Sequence, residues 1–434
     1  MGFTLNLFII IADQLMLFII NLLVARHAGD VLFGDYTVAT NALMLLGTMF
    51  TLGMDSIIAY YVPKYYIQNK YSNIVTLTQE IINFLKPLYV WVVVLGSLCT
   101  ITLISLTLAL RNIALFDVSH PLYLFLWGTV ALSLYAICKQ YFRAINYMRT
   151  AVILSLLQTI VYFILSLIIY FYLYPALFND NKHYFPHIML IGFIASYTLI
   201  IGVAFFLYKR TELSTIEVKS AHAIAWKDKI YGYTIQNLNR YIFTAIPLMM
   251  IEWLGRNEHS VGLFAAIISI ISLALIAIAP IGILIGPDIS AAFAQSRDAL
   301  KRVMQKYLMI CVSIALITIL IIGIFAKQIL LLYQSNFTDA LPYLYVCLIN
   351  ILTFSITMPL ARMVRYSHRG SEIGAKLTLS LLLFQLIACI ILINWLGLLG
   401  AIICYVGINI VYILVILVIS LRIYKTAPFD EMKN

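Results

Sequence analysis

Phe33-Gly34-Asp35-Tyr36-Thr37-Val38-Ala39 and Val261-Gly262-Leu263-Phe264-Ala265-Ala266 read as two copies of one motif, about 228 residues apart. Each copy follows a strongly apolar stretch with an ionisable residue at its middle, Asp13 before the first and Arg240 before the second. Each copy also opens a further apolar stretch. A repeat of that length in an apolar chain predicts two similar membrane halves. Many transporters are built this way, with the substrate path at the interface between halves.

The rest of the chain is of the same kind. Of 434 residues, 63% are hydrophobic and 11% are charged, less than half the ~25% usual for soluble domains. Stretches of roughly 20 apolar residues recur along the whole length, which predicts an all-α polytopic membrane protein. No stretch is long or polar enough for a soluble domain. The first span lacks a basic region before it and a small-residue cleavage site after it, so it reads as a retained helix and not a signal peptide. The net charge of +10 would suggest nucleic acid in a soluble protein. Here the basic residues read as loop anchors, and no nucleic-acid partner is expected. The six cysteines, Cys99, Cys138, Cys311, Cys347, Cys389 and Cys404, lie in or at the ends of apolar spans, without metal-like spacing. They read as small apolar fillers, and disulfides are not expected. The seven histidines form no ligand pattern. Nucleophile-elbow, P-loop and HExxH motifs are absent, so the chain does not read as an enzyme and no cofactor or metal is expected.

Twelve spans are predicted, near 4–25, 36–61, 87–109, 121–142, 151–174, 186–208, 231–254, 261–286, 307–331, 340–361, 375–393 and 400–421. They divide the chain into an N-terminal six-helix lobe (1–208), a linker (209–230) and a C-terminal six-helix lobe (231–434). Alternate loops and the tail carry 22 of the 28 Lys and Arg residues, against 5 in the other set, with Arg240 alone at mid-span. The positive-inside rule then places both termini in the cytoplasm. The longest outer loop, near 175–185, has about eleven residues. The linker carries Trp226 among Lys227, Asp228 and Lys229. It reads either as an interfacial amphipathic segment or as an ordinary solvated connection.

Polar residues inside apolar spans are costly unless they face protein, water or substrate. In the first span Asn6, Asp13 and Asn21 recur about every seven residues, with Gln14 beside them, and share one helix face. In the second, Asn41, Thr48 and Asp55 do the same. In the seventh, Gln236, Arg240 and Thr244 step by four, with Asn237 adjoining. These stripes could line a hydrated central cavity. They could instead serve helix–helix packing, the favoured reading for Asn6, Asn21, Asn41, Asn350 and Gln385. For Asp13 and Arg240 the cavity is favoured, because an unpaired charge at mid-depth needs water or a partner. They could also pair with each other. Asp55 and Arg143 sit nearer the ends of their spans, where a snorkelling anchor is an equal reading. Pro247, Pro280 and Pro287 interrupt spans seven and eight and mark candidate kinks.

Several motifs together resemble the polysaccharide/O-antigen flippase branch of the multidrug/oligosaccharidyl-lipid/polysaccharide (MOP) exporter superfamily. Ala25-Arg26-His27-Ala28-Gly29 with Phe33-Gly34-Asp35-Tyr36 resembles the family's first connection. Gly53-Met54-Asp55-Ser56 leading to Tyr61-Val62-Pro63-Lys64-Tyr65 resembles the end of its second helix. Val261–Ala266 and Pro287-Asp288-Ile289-Ser290 resemble its eighth helix, and Leu399-Gly400-Ala401-Ile402 the start of its twelfth. The chain departs at Tyr60, where the family often has arginine, which puts any role of that arginine in doubt here.

The resemblance implies two pseudo-symmetric six-helix lobes around a central cavity, a MATE-like fold working by alternating access in the cytoplasmic membrane. It implies transfer of a polyprenyl-pyrophosphate-linked oligosaccharide from the inner to the outer leaflet, for surface polysaccharide or lipopolysaccharide assembly. The implied partners are that lipid-linked substrate and membrane lipids, with a polysaccharide polymerase and chain-length machinery as candidate protein partners. Coupling to H+ or Na+ stays open. Cationic groups at Arg240, Lys139 and Arg143 would attract a pyrophosphate. The expected pathway residues are therefore Asp13, Arg240, Gln236, Asn237, Asn21, Asn41, Asp55, Lys139 and Arg143. Two other functions compete. One is a drug/cation antiporter of the related multidrug and toxin extrusion family. The other is a membrane-embedded polymerase or glycosyltransferase, for which the outer loops are too short to house a catalytic site.

Overall fold

The computed structural model describes residues 3–110, 120–145, 147–178, 182–211, 213, 216, 226–255, 257–278, 281, 285, 288–289, 292–293, 295–365, 367 and 370–426. Every described element is a helix or a turn. Apolar side chains cover helices such as these on all sides, because their outer faces meet lipid and not water. Large hydrophobic residues such as Trp91, Leu95, Leu320, Ile321 and Ile324 are exposed on those faces.

The chain forms two compact units. One comprises Met1–Ala28 and Asp35–Leu238, and the other comprises Gly29–Gly34 and Asn239–Asn434. In the first unit, α1 (Phe3–Ala28) is followed by α2 (Asp30–Phe50) and α3 (Met54–Ile67). Next come α4 (Tyr71–Leu110), α5 (Thr129–Ala144), α6 (Met148–Ile168) and α7 (Phe185–Lys209). Helix α1 packs on α6, α3 on α5, and α7 on both α5 and α6. The buried hydroxyls of Tyr36 and Tyr162 hydrogen-bond to each other, which satisfies two polar groups in an otherwise apolar interior. Helix α8 (Ile230–Ile242) contributes its residues up to Leu238 to this unit.

The second unit continues with α9 (Ala245–Leu254), α10 (Glu258–Leu275), α11 (Arg297–Tyr333), α12 (Ile349–Arg365), α13 (Gly370–Leu396) and α14 (Leu398–Thr426). Helix α14 packs on α12 and α13, and α11 on α12. Val261 to Ile271 of α10 are buried without interruption. Gly29–Gly34, the start of α2, belongs to this unit. The two copies of the repeated motif meet there: a Cβ on Gly34 would lie 3.0 Å from the Gly262 nitrogen, and one on Gly262 would lie 2.0 Å from the Asp30 carbonyl oxygen. Small residues let helix backbones approach this closely where no hydrophobic effect drives helices together. Phe33, Tyr333 and Phe337 fill the space beside the contact as a fully buried aromatic cluster.

Among the described residues, nine helices are long and apolar enough to cross a membrane, or ten if the bent pair α2–α3 counts as one span. The predicted twelve is not reached by this measure, because two predicted spans are broken. Span 121–142 consists of a four-residue turn at Pro121–Leu124, a 3-10 turn at Leu126–Gly128 and α5. Span 231–254 is split into α8 and α9 at Phe243 and Thr244. Pro247 sits in the first turn of α9 and has no N–H to continue the ladder back to residue 243. Pro280, Pro287 and Ser290 lie outside the described residues.

The bend between α2 and α3 is 50°. Its backbone turns through two successive left-handed residues, Leu52 (φ 48°) and Gly53 (φ 71°). Glycine takes that conformation without strain. It also lets α8 approach, since a Cβ on Gly53 would lie 2.8 Å from the Thr234 nitrogen.

Candidate functional site

Four helices of the first unit bring polar side chains together at the middle of α1. Asp13 is half-buried there. Thr159 of α6, 2% exposed, donates its hydroxyl to the Asp13 carboxylate, and Gln14 Nε2 donates to the other carboxylate oxygen at 3.4 Å. Lys139 of α5 acts on the same carboxylate electrostatically. Its ammonium lies 4.9 Å from the ring centroid of Tyr135, one turn earlier on α5. Beside Thr159, buried Gln158 donates to Ser196 of α7 at 3.0 Å.

Sequence spacing explains part of this convergence. Tyr135, Lys139 and Arg143 step by four and therefore share one face of α5. Arg143 is the exposed end of that stripe and acts electrostatically on Tyr135. A charge inside an apolar helix bundle persists when it has partners. Asp13 has two donors and a nearby cation. The cluster offers a single carboxylate among the described residues, whereas a divalent metal takes several oxygen ligands. A carboxylate of this kind suits a proton or a monovalent cation, and the α5 stripe suits an anion.

A second constellation joins α3 to α8 in the same unit. Asn237 Nδ2 donates to Asp55 at 2.7 Å, and Ser56 donates to the Asn237 carbonyl oxygen at 3.1 Å. Asp55 and Asn237 are thus partners of each other and hold the bend at Gly53 against α8. Asn41 instead donates to the Thr37 carbonyl of its own helix at 2.9 Å. Asn21 and Gln236 are half-buried, and each has further interactions. Arg240 lies on α8, but its side chain, like that of Asn6, is outside the described part of the structure.

The Trp226 side chain is not solvated. It is 1% exposed, donates its indole N–H to Glu80 of α4 at 2.8 Å, and packs edge-on against Phe84. In the second unit, Asp30 and His259 hydrogen-bond at the starts of α2 and α10, and Asp339 lies 3.8 Å from the other ring nitrogen of His259. Sequence reasoning missed Thr159, Gln158, Ser196 and Tyr135. The available signal was the adjacent Gln158-Thr159 pair inside a strongly apolar span.

Residues 1–293 match a protein family described as "Polysaccharide biosynthesis protein". The chain belongs to that family. No curated protein matches it by sequence. Its fold is shared with solved transporters of the MOP superfamily. The inward-facing form of a multidrug resistance MATE family transporter matches with a TM-score of 0.68 at 15% identity, covering 96% of both chains. The outward-facing form of such a transporter matches at 0.62 and 16% identity, covering 98% of this chain and 95% of the other. A MOP superfamily transporter from Pyrococcus furiosus Vc1, described as having a binding pocket of reverse polarity, matches at 0.64 and 15% identity, over 98% and 96%. At such identities the likeness is one of fold. The family member described here is a multi-pass helical membrane protein with the fold of the MOP superfamily transporters.

Proposed function

We propose that this chain is an alternating-access flippase that moves a polyprenyl-pyrophosphate-linked oligosaccharide across the cytoplasmic membrane, with both termini in the cytoplasm, for surface polysaccharide or O-antigen assembly. The observation that carries this reading is the polysaccharide biosynthesis match over residues 1–293. The Asp13 cluster supports it physically. Lys139 and Arg143 present cationic donors along one helix face, as recognition of a pyrophosphate requires. Arg240 of α8 is a further candidate cation for the substrate. Asp13 is the group through which H+ or Na+ coupling would act. Gln236 and Asn21 are the neutral polar residues of the pathway, while Asp55 and Asn237 hold two helices together and Asn41 bonds within its own helix.

One observation favours a second reading. A half-buried carboxylate with hydroxyl and amide donors also suits a cationic drug, and two of the matched folds are described as multidrug transporters. Expression in cells lacking their own flippase gene separates the two. The expected result is restored surface glycan with unchanged sensitivity to cationic dyes. Lowered dye accumulation without restored glycan would replace the flippase with the antiporter.

A further inference from the structure

The Asp13 cluster leaves a second group of cations in the first unit unused. Lys64, near the end of α3, places its ammonium 3.7 Å from the ring centroid of Tyr60, one turn earlier. Lys229, in the turn that opens α8, comes to 4.0 Å from the same centroid and 5.0 Å from that of Tyr61. Tyr61 stacks on Tyr65 with 17° between ring planes. Two ammonium groups therefore converge on one phenol. Among the described residues no carboxylate lies within ion-pair distance of either lysine.

This convergence is built into the fold. The Asp55–Asn237 and Ser56–Asn237 hydrogen bonds fix α3 against α8. The Gly53 approach to Tyr233 and Thr234 sets their spacing. Buried Trp226, held by Glu80, fixes the chain three residues before Lys229. Lys64 and Tyr60 are exposed, and Lys229 is half-buried, so a ligand can reach all three. Two like charges beside one ring repel each other. The tyrosine ring offsets the repulsion only in part, whereas an anion bound by both would remove it.

We propose that Lys64, Lys229 and the Tyr60 phenol form a binding site for a phosphate or pyrophosphate ester. The ammonium groups act as compact charges on its non-bridging oxygens, and the phenol O–H serves as a third donor. As its source we take the pyrophosphate of the carrier lipid, which rests on the flippase reading. An anionic phospholipid headgroup offers the same chemistry.

The test uses the purified full chain in phosphatidylcholine nanodiscs, titrated calorimetrically with inorganic pyrophosphate. Lys64→Gln and Lys229→Gln should each weaken binding about ten-fold, the scale of one lost charged hydrogen bond. Lys→Arg at either position should keep most of the affinity. An unchanged melting temperature in the glutamine variants separates lost binding from lost folding. Tighter binding of a short polyprenyl pyrophosphate, unaffected by phosphatidylglycerol in the disc, would assign the site to the carrier lipid. Displacement of pyrophosphate by phosphatidylglycerol would support the phosphate site and overturn that assignment. No binding by the unmutated chain, or equal binding by it and both glutamine variants, would overturn the site. Failure of the site and failure of the flippase reading are distinguishable, because pyrophosphate binding is measured without transport. Lysine-dependent binding by a chain that restores no surface glycan would leave the site standing and the flippase rejected.

Discussion

Asp13→Asn is expected to abolish surface-glycan export while leaving the protein in the membrane at its normal level. Asparagine keeps the shape of the side chain and an oxygen to accept from Thr159, so the α1–α6 contact survives. It removes the charge that Lys139 faces. An uncompensated charge at mid-membrane costs about 2.5–3.5 kcal/mol on insertion scales, which is roughly a hundred-fold shift in any equilibrium between conformations that bury it differently. Asp13→Glu should retain part of the export, because the charge is kept and only its position moves. Lys139→Gln combined with Asp13→Asn should restore melting temperature if either single variant lowers it, but not export. The readouts are surface polysaccharide normalised to membrane protein, and melting temperature in detergent. Export at the unmutated level by Asp13→Asn would show that the charge has no part in transport.

The largest loss of stability is expected at Gly262. A methyl group there would lie 2.0 Å from the Asp30 carbonyl oxygen and 2.6 Å from its carbonyl carbon. Both are backbone atoms, so no side-chain rotation relieves the clash, and the start of α2 must separate from α10. Overpacking usually costs about 1–3 kcal/mol, and a backbone clash belongs at or above the upper end of that range. The separation would also disturb the neighbouring Phe33, Tyr333 and Phe337 cluster and the Asp30–His259 hydrogen bond. Gly262→Ala should therefore melt well below the unmutated protein and accumulate poorly in the membrane. Gly202→Ala is the control, since nothing lies within 4 Å of its added carbon. Equal melting temperatures for the two variants would mean that the two motifs do not touch.

Gly262 also shows what the sequence could and could not disclose. Its motif is legible as a repeat of the one around Gly34, because the two strings resemble each other. That similarity says nothing about contact, and the close approach of the two copies became visible only in the packed helices. The helical membrane class was legible for a robust reason: a lipid-facing helix must be apolar along its whole length. The bend after α2 was not, because Leu52 is an ordinary residue whose left-handed conformation has no sequence mark. Trp226 looked amphipathic beside three charges, but its partner Glu80 is 146 positions away and spacing cannot reveal it. Asp13 stood out as a lone acid in an apolar span, whereas Thr159 did not, since threonine is common in such spans. Asp55 and Asn237 were both picked out as polar residues, but nothing in their stripes showed that they bond to each other.

The central claim is that the chain carries a lipid-linked oligosaccharide between leaflets. The most direct test places the purified protein in proteoliposomes with a fluorescent polyprenyl-pyrophosphate oligosaccharide. Accessibility of the label to a membrane-impermeant quencher is then followed over time. With the unmutated chain, label initially shielded in the inner leaflet should become accessible, and with Asp13→Asn it should stay shielded as in protein-free vesicles. Shielding with the unmutated chain equal to that of protein-free vesicles, at matched protein incorporation, would contradict the account.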